Sequence, residues 1–243
     1  MPLFRPTIVY WKQGVAYGMI TVIMVVNSTK GLFGRYSHNR DTKDTAQDIL
    51  LLLYLLDRAG NNISGENDLK AKIKLTKLVF LAEKEMVEKS YKGFNFFYNI
   101  YKMGPSSKEL YRLLDDLKSR ALIDFDESNH TYTLTADGRT TIRDFYSAED
   151  GNNKDFFLVI DKVLDKYADL GVDKILQNVY SMDFKPMHSS ETINIGEEVE
   201  KAKGGPGRRL LMKQSGGQVQ KELSVPENWI ETINILMNPL FSR

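Results

Sequence analysis

Residues 106–134, SSKELYRLLDDLKSRALIDFDESNHTYTL, decide the fold. Ser106 followed three residues later by Glu109 has capping-box spacing, so a helix is expected to open there. Leu110, Leu113, Leu114, Leu117 and Ala121 recur at helical intervals and give that helix one apolar face. Residues 122–125 and 131–134 are short β-prone runs separated by the polar stretch 126–130, which predicts a two-stranded wing. A helix running straight into a wing is the second half of a winged helix-turn-helix.

The flanking sequence supplies the remainder. Asp44, Thr45 and Asp48 offer a helix start, and ILLLLYLL at 49–56 follows, closed by Gly60. A helix apolar on every side is expected to be buried on every side. A second helix is predicted from Asp68 to about residue 89. Leu69, Ile73, Thr76, Phe80 and Lys84 mark one stripe, with Leu75, Leu78, Val79, Ala82 and Met86 beside it. Lys70, Lys72, Lys74 and Lys77 are left for its other faces. FNFFYNIY at 94–101 has strong strand propensity and ends at Gly104-Pro105. Thr135 to Gly138 opens a closing helix that reaches about residue 146.

The expected class is therefore α+β, mainly helical: a winged helix-turn-helix core with an additional helical pair and small β-containing N- and C-terminal extensions. The winged-helix domain spans 41–147, and 148–190 adds two amphipathic helices. Phe156, Phe157, Ile160, Val163, Leu164 and Tyr167 space the first, and Val172, Ile175, Leu176, Val179 and Tyr180 the second. In 191–243 a short strand at 192–195, a basic hairpin from 210–212 and 219–225, and a closing helix at 229–237 are expected. The buried stripes all fall within 41–185, which is expected to fold without the ends.

Several of these segments resemble a known family. Lys74-Leu75-Thr76-Lys77-Leu78-Val79-Phe80-Leu81-Ala82 is similar to a helix of Panacea-type (SocA-like) antitoxin domains and of the related YwgA-like proteins. Tyr101-Lys102-Met103-Gly104-Pro105 with Glu109-Leu110 resembles a second segment. Ala121-Leu122-Ile123 and Tyr132-Thr133-Leu134-Thr135-Ala136-Asp137-Gly138 resemble the wing and the step after it. The resemblance covers about 45–181 and implies a regulatory or partner-binding role rather than catalysis. The stretch 225–236 is similar to the C-terminal helix with which some antitoxins cover their toxins, which would make Trp229, Ile233 and Leu236 partner-binding.

Composition narrows the chemistry. The chain has no cysteine, which excludes disulfide scaffolds, thiolate metal sites and a cysteine nucleophile, and fits a cytoplasmic protein. The formal net charge is +1, but it is unevenly spread. Residues 1–43 carry six basic residues against one acidic, a net +5. Residues 203–243 carry six against three, a net +3, and 44–202 carry 21 against 28, a net −7. Basic ends around an acidic centre place any phosphate contact at the ends.

VAYGMITVIMVV at 15–26 is apolar for about half the length of a bilayer span. With 7–11 and the turn Lys12-Gln13-Gly14 it reads as a β-hairpin. A start at Met19 or Met24, or a signal or anchor segment, are the alternatives. No membrane association is expected.

No catalytic constellation is evident. His38, His130 and His188 lie in separate polar stretches without metal-binding spacing, and Asp115-Asp116 point about 100° apart on a helix. No cofactor or metal is expected. The nucleic-acid candidates are Lys108, Tyr111 and Arg112 on the recognition-type helix, Lys70, Lys74 and Lys77 for backbone contact, and Arg208 and Arg209 in the basic loop. Two functions remain open. One is a winged-helix regulator binding duplex DNA, antitoxin-like in the sense the resemblance implies. The other is an adaptor binding a protein, structured RNA or a ribonucleoprotein through basic arms.

Overall fold

The α1 helix, Thr42–Ala59, begins where Asp41 accepts the Asp44 N–H on its side chain at 2.7 Å. Every residue from Thr45 to Leu56 is buried. The all-round apolar run demands this, and the packing supplies it, because α4 (Ala136–Ala148), α5 (Lys154–Tyr167) and α8 (Glu227–Leu236) all lie against α1. The computed structural model describes residues 41–148, 151–185, 191–205 and 219–237. Among them are eight α-helices and four two-stranded sheets, a mainly helical α+β architecture. The expected hairpin at 7–26, His38, His188, Arg208, Arg209 and the 210–212 arm lie outside the described residues. None of the described helices is long and apolar enough to cross a membrane.

The α2 helix, Asp68–Glu88, opens on Asn67, whose side chain accepts the Lys70 N–H at 3.0 Å. It packs against α5, α6 (Val172–Tyr180), β1 (Tyr91–Lys92) and β3 (Gly104–Ser106). With neighbours on so many sides, it also buries polar residues, among them Lys74, Thr76, Lys77 and Glu83.

The expected strand at 94–101 is mostly not one. Only Asn99–Tyr101 forms β2, paired antiparallel with β3 through Asn99 opposite Ser106 and Tyr101 opposite Gly104. Residues 94–98 run through the core without a ladder, and Phe94, Phe96 and Tyr98 are buried. Carboxylates take the place of a partner strand. The Asn95 N–H donates to Asp48 Oδ1 at 2.7 Å, and the Phe97 N–H to Glu109 Oε2 at 3.1 Å. The Asn95 amide also donates to Gln47 Oε1 and to the Gly93 carbonyl, at 3.1 and 3.0 Å. Replacing Asn95 by leucine would strand Gln47 Oε1 and the Gly93 carbonyl inside the protein. Asn95→Leu is expected to cost about 2–4 kcal/mol, read from urea unfolding midpoints. A cost within 0.5 kcal/mol would show that this cluster holds nothing in place.

The helix α3, Lys108–Ser119, is followed by the antiparallel hairpin of β4 (Ile123–Asp126) and β5 (Thr131–Leu134), within a residue of the expected wing. A third segment joins it. Ser64 bridges Thr131, the Tyr132 N–H reaches the Ile63 carbonyl at 3.1 Å, and the Gly65 N–H reaches the His130 carbonyl at 3.2 Å. Downstream, the helices α5 and α6 form as their spacing predicts. β6 (Asp183–Phe184) pairs with β7 (Ile193–Asn194), which leads into α7 (Ile195–Gly204). Sequence spacing did not suggest α7.

The C-terminal part belongs to the same core. The strand β8, Lys221–Glu222, pairs parallel with β1, while the 210–212 arm of the expected hairpin lies outside the described residues. Leu223, Val225, Ile233 and Met237 are buried in one hydrophobic cluster with Ala46 through Ile195. Gln47 Nε2 donates to the Leu223 carbonyl at 2.8 Å, and Asn153 exchanges two 2.8 Å bonds with the Ser224 backbone.

Candidate nucleic-acid interface

The helix α3 starts one residue later than its sequence suggests. Ser107 is the N-cap, accepting the Leu110 N–H at 3.3 Å. The residue three before Leu110 thus takes the capping role, and Glu109 stands too early to close a capping box. Its carboxylate is buried and turns to the Phe97 N–H instead, while the Ser106 hydroxyl donates to the Tyr111 hydroxyl at 3.0 Å. Leu110, Leu113, Leu114 and Leu117 fill the inner face as expected.

The outer face carries Lys108 and Arg112, one turn apart and both exposed. Lys102 and Met103 are exposed in the turn between β2 and β3 that precedes the helix. Tyr111 is half-buried, with Lys72 Nζ 4.8 Å from its ring centre, and the same amine lies 3.7 Å from Asp115. Tyr111 thus serves partly as a support for Lys72. Lys118 sits over the Phe125 ring at 5.6 Å.

The lysines of α2 differ from their expected role as backbone contacts. Lys70 is partly exposed and pairs with Asp173 at 2.9 Å. Lys74 and Lys77 are buried, at 5% and 2% exposure, because α2 is covered on the faces that carry them. Neither reaches a phosphate from this position. Burial lowers the Lys74 amine, with the Asp169 charge acting the other way. Burial alone brings the Lys77 amine down to about 7. Lys77 Nζ donates to the Pro105 carbonyl in β3. The signal for this lies in residues 73–82, where Lys74, Thr76 and Lys77 are the only polar members of an otherwise apolar run.

The hairpin tip is acidic. Asp126 accepts from the Ser128 and Asn129 backbone and side chains, and these bonds hold its carboxyl down at about 2. His130 Nδ1 meets Asp68 Oδ1 at 2.9 Å, tying the tip to the start of α2. Between α2, α3 and the hairpin lies a groove of about 300 Å³, lined in part by Leu69, Lys72, Leu114, Asp115, Phe125 and Tyr132. Leu69 was expected on a core stripe, yet it is 67% exposed and lines this open groove instead. Burial, with the charges of Asp115 and Asp68, pushes the Tyr132 hydroxyl up to about 12.

At the C-terminus the proposed partner residues face largely inward. Ile233 is fully buried, and Trp229 packs edge-on against Phe145 with ring centres 5.4 Å apart. Leu236 is partly buried against the same core. The terminal helix covers this protein's own core, so Ile233 is not available to a partner. Among the described residues no cluster of three or more His, Cys, Asp or Glu is placed to hold a metal. No protein-family model, curated protein or solved structure matches this chain.

Proposed function

We propose that the chain is a non-catalytic regulator that binds duplex DNA, with residues 41–148 as a winged helix and α3 as its contact helix. The observation that carries this reading is the pair Lys108 and Arg112, exposed one turn apart at the start of a helix that runs directly into the β4–β5 hairpin. Side chains early in such a helix are the ones that reach base edges, while phosphate contacts set affinity. The Ser64–Thr131 bridge gives the hairpin the extra strand edge that winged helices carry between their first two helices. The resemblance of 74–82 and 101–110 to Panacea-type and YwgA-like proteins supports a regulatory, antitoxin-like role in the same terms.

Fluorescence anisotropy against mixed-sequence duplex DNA across a salt series tests it. Lys108→Glu with Arg112→Glu is expected to weaken binding at least tenfold and to flatten the salt dependence by about two charges. Equal binding by the double variant would remove α3 from the interface.

A second reading, an adaptor for a protein or structured RNA, is favoured by a specific feature. Asp124, Asp126 and Glu127 make the hairpin acidic where a DNA-binding wing would meet phosphate. Running the same titration with a structured RNA, and a pull-down in which Leu69→Glu is compared with the unaltered chain, separates the two readings.

A further inference from the structure

We propose that the buried amine of Lys77 is a proton-controlled latch that fastens strand β3, and through it the first turn of α3, to the inside of the protein. The geometry is specific. Lys77 is 2% exposed on the middle of α2, and its Nζ donates to the Pro105 carbonyl. Pro105 stands two residues before Ser107, the N-cap of α3. Gly104, at φ +79°, presses on the same point, since a Cβ there would stand 3.0 Å from the Tyr180 ring and 3.7 Å from Lys77 Nζ. Lys77 thus adds a hydrogen bond from the core to a strand already paired with β2 and packed on α6 and α7, in a place where the backbone leaves no room for a side chain.

The surroundings make the latch sensitive to protons. Around it, Tyr180 of α6 shares the Gly104 contact, Glu200 of α7 acts on the Tyr180 hydroxyl, and Lys74 lies nearly one turn earlier on α2 under the influence of Asp169. None of these shifts Lys77, whose amine is brought down to about 7 by burial alone. A charged ammonium buried this deeply is costly, and the group escapes by losing its proton or by reaching water. The neutral amine stays in place. As it takes a proton, the stem is drawn toward solvent and β3 loosens. The population of the loosened form rises up to tenfold for each pH unit of descent toward 7, then levels off once the amine is charged in both forms. For DNA binding the consequence rests on α3 being the contact helix; the latch itself does not.

The test is NMR of the full chain carrying ¹³C-labelled lysine and ¹⁵N backbone. One lysine Cε is expected to titrate near pH 7, with the Lys108 and Leu110 amides following the same midpoint while amides within α5 stay constant. Lys77→Met should abolish the α3 titration, and Lys77→Arg should hold α3 in its low-pH position throughout. If either variant fails to fold, the unaltered chain still decides. Titration of every lysine above pH 9, or α3 amides that ignore the Lys77 midpoint, overturns the latch. Absence of DNA binding at both pH 6 and pH 8 with the titration intact overturns the function reading and leaves the latch standing.

Discussion

Removing residues 219–237 is expected to leave a molten chain rather than a trimmed one. Leu223, Val225, Ile233 and Met237 are all buried in the cluster that α1 and α4 share, and Trp229 closes over Phe145. Emptying one such site by truncation to alanine costs about 2–5 kcal/mol. Losing four together approaches or exceeds the whole stability of an ordinary domain, about 5–15 kcal/mol. The deletion also strips Gln47 of the Leu223 carbonyl and Asn153 of both bonds to Ser224. A fragment of 41–205 is therefore expected to show no cooperative urea transition. The single change Ile233→Ala, in the full chain, is expected to lower stability by about 3 kcal/mol. A cooperative transition from 41–205 close to that of the full chain would instead make the C-terminal helix an accessory to a self-sufficient core.

That expectation reverses the one drawn from sequence, and the reason is physical. Hydrophobic spacing reports which face of a helix seeks burial, but not which later segment supplies the cover. ILLLLYLL at 49–56 reads plainly as a helix needing partners on all sides, and α1 obeys. Nothing in those residues says that part of the cover is α8, some 170 residues away. Local signals fared best: the β4–β5 hairpin and the α3 stripe were legible within a residue or two. Long-range pairing was the least legible. β8 joins β1 in parallel across more than a hundred residues, and 94–98 trades a ladder for side-chain carboxylates. At the candidate interface, Lys108 and Arg112 were readable because the exposed edge of α3 follows from its leucines. Lys74 and Lys77 misled because lysine on a helix ordinarily marks solvent, and α2 is enclosed by α5, α6, β1, β3 and β5.

Lys77 should dominate how stability changes between pH 7 and 9. Its amine titrates at about 7 in the folded protein, against roughly 10.4 in an unfolded chain. Between these values the unfolded chain holds a proton that the folded one lacks, so stability climbs with pH by up to about 1.4 kcal/mol per unit. Below pH 7 both states are protonated and the contribution is flat. The expected gain from pH 7 to pH 9 is roughly 2 kcal/mol. Lys74, also lowered by burial, adds in the same direction. Opposing groups act elsewhere on the scale. Lys92, with its amine raised by Asp44 and Glu222 despite burial, and Tyr54, raised by burial and Asp161, lose stabilising protons only above about pH 10. Asp126, held low by its hairpin-tip bonds, and Glu222, held low by Lys92 and Gln47 despite burial, matter only in acid. Lys77→Met removes the titrating group and keeps the apolar stem, so its stability should rise much less from pH 7 to 9, with Lys74 left to tilt it. The Pro105 carbonyl loses its donor in that variant, which costs about 1 kcal/mol at every pH and shifts the curve without tilting it. Urea unfolding at half-unit steps separates tilt from shift. Parallel curves for the two proteins would mean that the amine reaches water in the folded state and carries its proton throughout.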